Sequence, residues 1–423
     1  MKEEVRPAVA VREREPRVPD RRPRVLDAFR FRDFRLLWSG LLVSNLGTWM
    51  QFTALGYYVA SLAPNAAAGS FDIGLLGAAR AAPVLILSPF AGVVADRYPR
   101  RLVLLVTNGV TSALSFVIFA LIATHHAPLW TLMITSGLQA ATQSFDAPAR
   151  QSWVPVLVPR EYVGGAIGLN SVAFNAPSVA GPPLAGLTIA GIGVAPCFLA
   201  NAVLTLAVVV ALLMMRPAPP SSRERGDVIG AIVEGIRFLF AHPVLRWVVV
   251  LLVITSLTVR PYNFLLPAYA VHVVHTDARG LGLLMAFTGI GSILGAFITA
   301  TGGERRGLIW LASALVASLG VGGLGFTAQF GVAAGVLAIV GLATLSFIGS
   351  SNILLQVLSP DEMRGRALSV YSMILLGFVP FGSLLVGSLA TVLSLEHTLA
   401  AGGALAVACC VLIALTQRQV FEA

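Results

Sequence analysis

The sequence predicts an all-α membrane protein of twelve transmembrane helices in two six-helix bundles, and three observations carry that expectation. The 423 residues are 57% hydrophobic and only 12% charged, with a mean hydropathy of +0.83, which leaves too little polar surface for a water-soluble globule. Apolar windows of about 20 residues, the length that crosses a bilayer, recur along the chain. The connections between those windows alternate in charge, basic on one side and nearly uncharged on the other.

Taken in order, residues 1–35 hold eleven Lys or Arg and seven Asp or Glu, broken by Pro7, Pro16, Pro19 and Pro23. Such a segment buries too little apolar surface to fold, so it is expected to be a disordered cytoplasmic tail. It is not a secretory signal, because the apolar run that follows is long enough to span and has no small-residue cleavage site. Spanning windows fall at 36–59, 72–94, 102–124, 128–148, 163–189 and 193–215, then at 246–270, 280–301, 307–327, 331–356, 368–391 and 396–416. These place an N-terminal bundle at 36–215, a C-terminal bundle at 246–416 and a cytoplasmic C-terminus at 417–423. Between the bundles, 216–245 opens "RPAPPSSRERGD", a flexible polar linker. It continues with Ile229, Ile232, Val233, Ile236 and Phe240 at helical spacing, which predicts a short amphipathic helix on the membrane surface.

The connections after even-numbered spans carry Arg97, Arg100, Arg101, Arg150, Arg160, Arg216, Arg223, Arg225, Arg237, Arg246, Arg305, Arg306, Arg364 and Arg366, while the opposite ones carry only Arg279. By the positive-inside rule both termini are expected in the cytoplasm of a cell whose inner membrane holds the chain. The formal charge of +9 therefore reads as a topology signal. Scattered through short loops, it forms no nucleic-acid footprint. The stretch "AGVVADRYPRRLVLL", 91–105, concentrates one acid and three arginines between two apolar runs. Each charge would cost roughly 2.5–3.5 kcal/mol at the centre of a bilayer, so it must be a loop.

Cys197, Cys409 and Cys410 lie in apolar runs without metal-ligand spacing, and packed thiols are expected. No metal site and no cofactor is predicted. His272 and His275 flank Asp277, a weak metal signal that reads better as a solvated loop. The chain has no phosphate-binding glycine loop and a single lysine, Lys2, so ATP-driven transport by this chain alone is not expected.

Shifting the chain by 201 residues aligns "VLVPREYVGGAIGLNS" from Val156 with "VLSPDEMRGRALSVYS" from Val357, and ten of 32 positions match over 156–187 against 357–388. The copies enter spans 5 and 11. An offset of six spans makes the two halves repeats of like orientation, with a substrate site expected between them.

Here the chain resembles the major facilitator superfamily of secondary transporters over residues 30–416. "GVVADRYPRR" is similar to that family's loop Gly-x-x-x-Asp-Arg-x-Gly-Arg-Arg through Gly92, Asp96, Arg97, Arg100 and Arg101, departing at Pro99. The resemblance implies a cytoplasmic gate formed by these residues with Arg150. Its physical basis would be the Asp96 carboxylate accepting hydrogen bonds at the N-terminal end of span 11, near Leu368. "AGPPLAGL", 180–187, looks like the exporter-associated motif Gly-Pro-x-x-Gly-Gly through Gly181, Pro182 and Gly186, with Ala185 in a usual glycine position. That implies antiport and efflux. "FRLLWSGLLVSNLGTWMQ", "FDAPARQSWVPVLVP" and "SPDEMRGRALS" resemble the drug and siderophore efflux branch, similar to enterobactin exporters.

Polar residues inside the spans are the candidate substrate cavity. Ser44, Thr48 and Gln51 form one stripe of span 1 with Asn45 beside them, and Asn170, Asn175 and Asn263 add neutral groups. Arg80 in span 2 and Arg260 beside Pro261 in span 7 are charges inside the membrane, either functional or structural. Candidates for proton coupling are Asp96 and Asp146, the latter four residues before Arg150. The expected function is proton-coupled efflux of an amphipathic small molecule by a monomer, with the bilayer and protons as partners. Proton-linked uptake of a metabolite is the alternative. A membrane-embedded enzyme or a sensor without flux is a more distant one, since no catalytic constellation or signalling domain is visible.

Overall fold

The computed structural model describes residues 25–215, 228–301 and 306–417. The tail through residue 24, most of the polar linker, the connection at 302–305 and the last six residues lie outside that set. Among the described residues the fold is entirely helical. The helices are α1 (Arg32–Leu62), α2 (Ala66–Arg97), α3 (Arg100–Ala123), α4 (Leu129–Trp153), α5 (Val163–Ile192), α6 (Ala195–Met214), α7 (Val228–Ala241) and α8 (Leu245–Thr258). They continue with α9 (Tyr262–His272), α10 (Ala278–Thr301), α11 (Arg306–Leu324), α12 (Phe330–Leu358), α13 (Asp361–Met373), α14 (Val379–Leu393) and α15 (Leu395–Thr416). Among the described residues, eight helical stretches are long and apolar enough to cross a membrane, counting α8 and α9 as one. Large apolar side chains such as Phe116, Leu187, Leu213, Phe297 and Leu412 are more than half or nearly half exposed. Only a hydrocarbon surrounding makes such a surface stable.

Local chemistry explains the differences from the sequence windows. Asn65 caps α2 by accepting from the Ala68 N–H at 2.9 Å, which starts that helix six residues before its apolar window. "SPDEMRG", read as loop, is helical from Asp361, because Pro360 stands at the N-cap and Asp361 and Glu362 suit a first turn. Val25–Arg30 and the start of α1, assigned by composition to the tail, are also ordered. Ala28 and Phe34 are buried, and Phe29 packs edge-on against Trp38 with ring centroids 4.8 Å apart. Aromatic burial outweighs the polar composition there.

Two long helices are interrupted. Pro261 has no N–H and ends α8, where the Thr255 carbonyl accepts from both Val259 (3.0 Å) and Arg260 (2.8 Å). Between α13 and α14, Ile374–Phe378 forms a π-turn, a widening often found at functional sites. By contrast, α5 stays helical through Pro177, Pro182 and Pro183. α7 occupies the second part of the segment between α6 and α8. It rests on α13, with Leu239 fully buried and Glu234 paired to Arg366 at 2.5 Å, while Val233 and Phe240 stay exposed.

Helices α1–α6 pack on one another and α8–α15 pack on one another, and the two groups meet where α2 touches α14, α5 touches α10, and α9 touches α1 and α2. The end of the molecule that carries Arg100, Arg160, Arg306 and Arg364 is called the basic end below.

Candidate transport cavity and its seal

The two groups are sewn together at the end opposite the basic one. On α5, a Cβ at Gly186 would stand 2.5 Å from the Ala278 carbonyl of α10, and one at Gly282 would stand 2.8 Å from the Pro182 carbonyl. The second seam repeats the first. Gly387 of α14 abuts the Ser70 carbonyl of α2, and a Cβ at Gly74 would stand 2.7 Å from the Ser383 carbonyl. Gly186 and Gly387, like Pro182 and Ser383, are 201 residues apart, the shift of the internal repeat. Gly181 and Gly382 are the next such pair, pressed against Trp49 and against Leu257. The repeat is therefore a repeat of helix contacts, made by small residues that let backbones touch.

A third contact closes the seal. His272 of α9 donates through Nε2 to the Ala60 carbonyl of α1 at 2.8 Å, and Gly56 lies against the Pro267 ring. This hydrogen bond is worth about 1 kcal/mol. His272→Ala is expected to speed labelling of Ala63→Cys by a membrane-impermeant maleimide about fivefold; an unchanged rate would remove His272 from the seal.

Toward the basic end the groups part. Gly164 and Gly168 of α5 face open space, and Ser171, Val172 and Asn175 are exposed, as is Phe297 on α10. Between them lies a cavity of about 730 Å³. Trp49 and Phe264 give it an aromatic inner wall, and Phe52 joins the two from behind through edge-on pairs at 5.6 Å and 5.4 Å. Its polar wall comes from α5, α10 and α12 through Asn175, Ser292 and Thr344, and from the α8–α9 break through Arg260 and Asn263. An aromatic body with a few convergent polar groups suits an amphipathic small molecule. A second hollow, about 440 Å³ between α2, α3 and α4, is lined by Leu102, Val106, Val110 and other apolar groups, and offers no charge to a ligand.

The sequence candidates divide. Asn175, Arg260 and Asn263 line the cavity. Asn45 instead donates to the Ala173 carbonyl at 3.1 Å, tying α1 to α5. Thr48 and Gln51 turn into the interior of α1–α6, where Asn201 donates to Gln51 Oε1 at 2.7 Å and Thr48 donates to Asn201 Oδ1 at 3.4 Å. Arg80 is half-buried on α2 and is not among the lining residues, and Asn170 has a buried Oδ1 without a partner among the described residues.

At the basic end Asp146 accepts from Arg150 Nε (3.2 Å), Asn108 Nδ2 (2.8 Å) and Thr107 Oγ1 (3.3 Å). The Arg150 guanidinium lies 3.9 Å over the Phe174 ring of α5, so the group joins α3, α4 and α5. Arg101 donates to the Leu213 carbonyl at 2.8 Å, and Arg100 is buried. Gly92, Asp96 and Arg97 are described only as backbone of α2.

Sequence reasoning missed Trp49, Phe264, Tyr262 and the α10 and α12 faces of the cavity, because apolar residues inside apolar windows carry no signal of which face they occupy. It also missed Gln139 and Asn201, whose signal, a lone amide in a hydrophobic window, was present.

This fold and cavity define a multi-pass membrane transporter. The chain belongs to the major facilitator family described as transmembrane secretion effector, whose profile matches residues 25–423. It is 23% identical to the staphyloferrin A transporter of Staphylococcus aureus over 373 residues, 86% of this chain and 91% of that one. It is 26% identical to the enterobactin exporter EntS of Escherichia coli over 325 residues, covering 74% and 75% of the two chains. A solved bacterial homologue of the iron transporter ferroportin, in an inward-facing state, shares the fold with a TM-score of 0.67, 18% identity and coverage of 90% and 98%.

Proposed function

We propose that this chain is a secondary active exporter of an amphipathic, siderophore-like small molecule, working as a monomer by alternating access and driven by protons moving the opposite way. The observation that carries this reading is the cavity of about 730 Å³, open toward the basic end and sealed at the other by two seams that obey the internal repeat. In this reading the twelve spans are α1–α6, α8–α9, α10, α11, α12, α13–α14 and α15, forming two six-helix bundles joined by the linker and α7. The basic end is cytoplasmic, both termini are cytoplasmic, the membrane is the inner one, and the state described is open inward. Relatives named as a siderophore transporter and a siderophore exporter support the substrate class. Gly181, Pro182 and Gly186, which resemble an antiporter motif, lie in or beside a seam that must open and close in every cycle.

Outward opening requires the basic end to close, bringing the corner at 96–101, where α2 gives way to α3 through Tyr98 and Pro99, to the start of α13. Asp96 at that helix terminus would contribute up to about 2 kcal/mol, with Arg100, Arg101 and Arg150 supporting the corner. Asp146 is held by three donors and serves as a tie, which leaves Asp96 as the proposed proton-linked carboxylate. The test is flux in proteoliposomes with an imposed pH gradient, using catecholate and citrate-type siderophores with lipophilic drugs as comparison. Movement away from the basic face, driven by the gradient and about tenfold slower in Asp96→Asn, is expected. Flux indifferent to the gradient overturns the coupling, and net movement toward the basic face overturns export.

A further inference from the structure

We propose that the transported molecule enters the cavity as an anion and that Arg260 is the residue that reads its charge. The inference rests on the export reading of this cavity and adds a substrate charge to it.

Among the described residues that line the cavity, Arg260 is the one with a charge; no described aspartate, glutamate, lysine or histidine shares the wall. Its position is fixed by the backbone. Arg260 sits in the gap between α8 and α9, held by the bond from its N–H to the Thr255 carbonyl, with Pro261 preventing the helix from closing over it. Its guanidinium reaches across to the π-turn of the span formed by α13 and α14, where Nη1 donates to the Leu375 carbonyl at a long 3.4 Å. The titratable groups beside it are the neutral hydroxyls of Tyr262 and Tyr371, and Tyr371 gives its own proton to the Ile348 carbonyl at 3.0 Å. A guanidinium offers five donors. One long bond to a carbonyl leaves both its charge and most of its donors for a ligand.

An arginine at membrane depth is costly unless it meets a counter-charge or water. Asp146 meets Arg150 in that way, and both are held within one group of helices. Arg260 has no such acid among the described residues, yet it faces a cavity whose other described walls are aromatic and neutral. A cavity of low polarity with one uncompensated cation concentrates anions and repels cations. A carboxylate, catecholate or similar group would accept paired, charge-assisted hydrogen bonds from the fork of Arg260. The remainder of the ligand would lie on Trp49 and Phe264, with Asn263 and Asn175 within the same cavity. Lipophilic cations, common cargo for drug exporters in general, are disfavoured by the same field.

The experiment is fluorescence titration of the purified full-length protein in nanodiscs with three ligands that share one aromatic body: dansylglycine (anion), dansylglycinamide (neutral) and N-(2-aminoethyl)dansylamide (cation). Dansylglycine is expected to bind about tenfold more tightly than the amide, and the amine more weakly than either. Arg260→Gln should abolish the preference for the anion, bringing its affinity down to that of the amide, and Arg260→Lys should keep part of that preference. Equal affinities in the wild-type protein, or a preference undiminished in Arg260→Gln, overturn the proposal. If the glutamine variant does not fold, the wild-type ranking and Arg260→Lys decide: discrimination reduced but retained in the lysine variant supports the proposal, and undiminished discrimination, or loss of affinity for all three ligands alike, overturns it. Failure of export is read separately. Arg260-dependent anion preference in a protein that moves nothing outward sinks the export reading alone, and outward flux without charge preference sinks this one alone.

Discussion

Valine at Gly186 or Gly387 will stop transport. At position 186 the first added carbon would stand 2.5 Å from the Ala278 carbonyl oxygen, and at 387 it would meet the Ser70 carbonyl. In both cases the obstacle is backbone of a helix from the other group, which cannot turn aside as a side-chain tip can. Overpacking of this kind costs about 3 kcal/mol, and the whole cost falls on the state in which the seams are closed. A two-state carrier then loses its closed-seam population about a hundredfold, with flux falling in proportion. The molecule should accumulate in the form open away from the basic end. The checks are the initial rate of flux in proteoliposomes and maleimide labelling of Ala63→Cys, which should rise as flux falls. Gly191→Val is the control, because Gly191, on the same helix, faces open space and should transport normally. Normal flux in both Gly186→Val and Gly387→Val would falsify the role of the seams.

The equivalence of Gly186 and Gly387 was legible in the sequence, as one matched position in a repeat of modest identity. What they touch was not legible. Ala278 and Ser70 lie far away along the chain from their partners, and backbone carbonyls leave no mark in a sequence. The polar stripe of α1 gives a second lesson. Helical periodicity correctly separates its polar face from lipid, but a bundle has two interiors, the packed centre of each six-helix group and the cavity between groups. Periodicity cannot choose between them, so Thr48 and Gln51 were grouped with Asn175 although they point elsewhere. Arg260 was legible because a charge in an apolar window stands out whatever surrounds it. The start of α13 was obscured because "DEMRGR" looks like loop by polarity, while its Pro-Asp-Glu opening is a helix start by capping chemistry.

That packed centre yields the prediction with the largest expected effect on stability. Asn201 of α6 is nearly inaccessible, donating to Gln51 Oε1 of α1 at 2.7 Å and to Ser115 Oγ of α3 at 2.9 Å. Gln51 donates in turn to Gln139 Oε1 of α4 at 2.7 Å. Gln139 donates to Ser115 Oγ at 2.9 Å, whose own proton goes to the Thr111 carbonyl at 2.9 Å. Four helices are thereby joined by one closed circuit of neutral amides and a hydroxyl. Gly47 makes the circuit possible, since a Cβ there would stand 2.9 Å from Asn201 Cα, and only this close approach of α1 and α6 brings the amides into reach. Asn201→Ala leaves Gln51 Oε1 without its donor and takes one of two donors from Ser115 Oγ, in a site that excludes water. Single interhelical bonds in membranes average about 0.6 kcal/mol, but orphaned buried groups cost about 1–3 kcal/mol each, so a loss of about 2–4 kcal/mol is expected. Thermal unfolding in detergent should shift downward, while the ranking of ligands that depends on Arg260 stays as in the wild type, because the circuit does not line the cavity. Gln139→Leu should destabilise less when added to Asn201→Ala than when made alone, since the second substitution removes a member of a circuit already broken. Additive losses would mean that the four helices are held by independent contacts and that the circuit has no cooperative role.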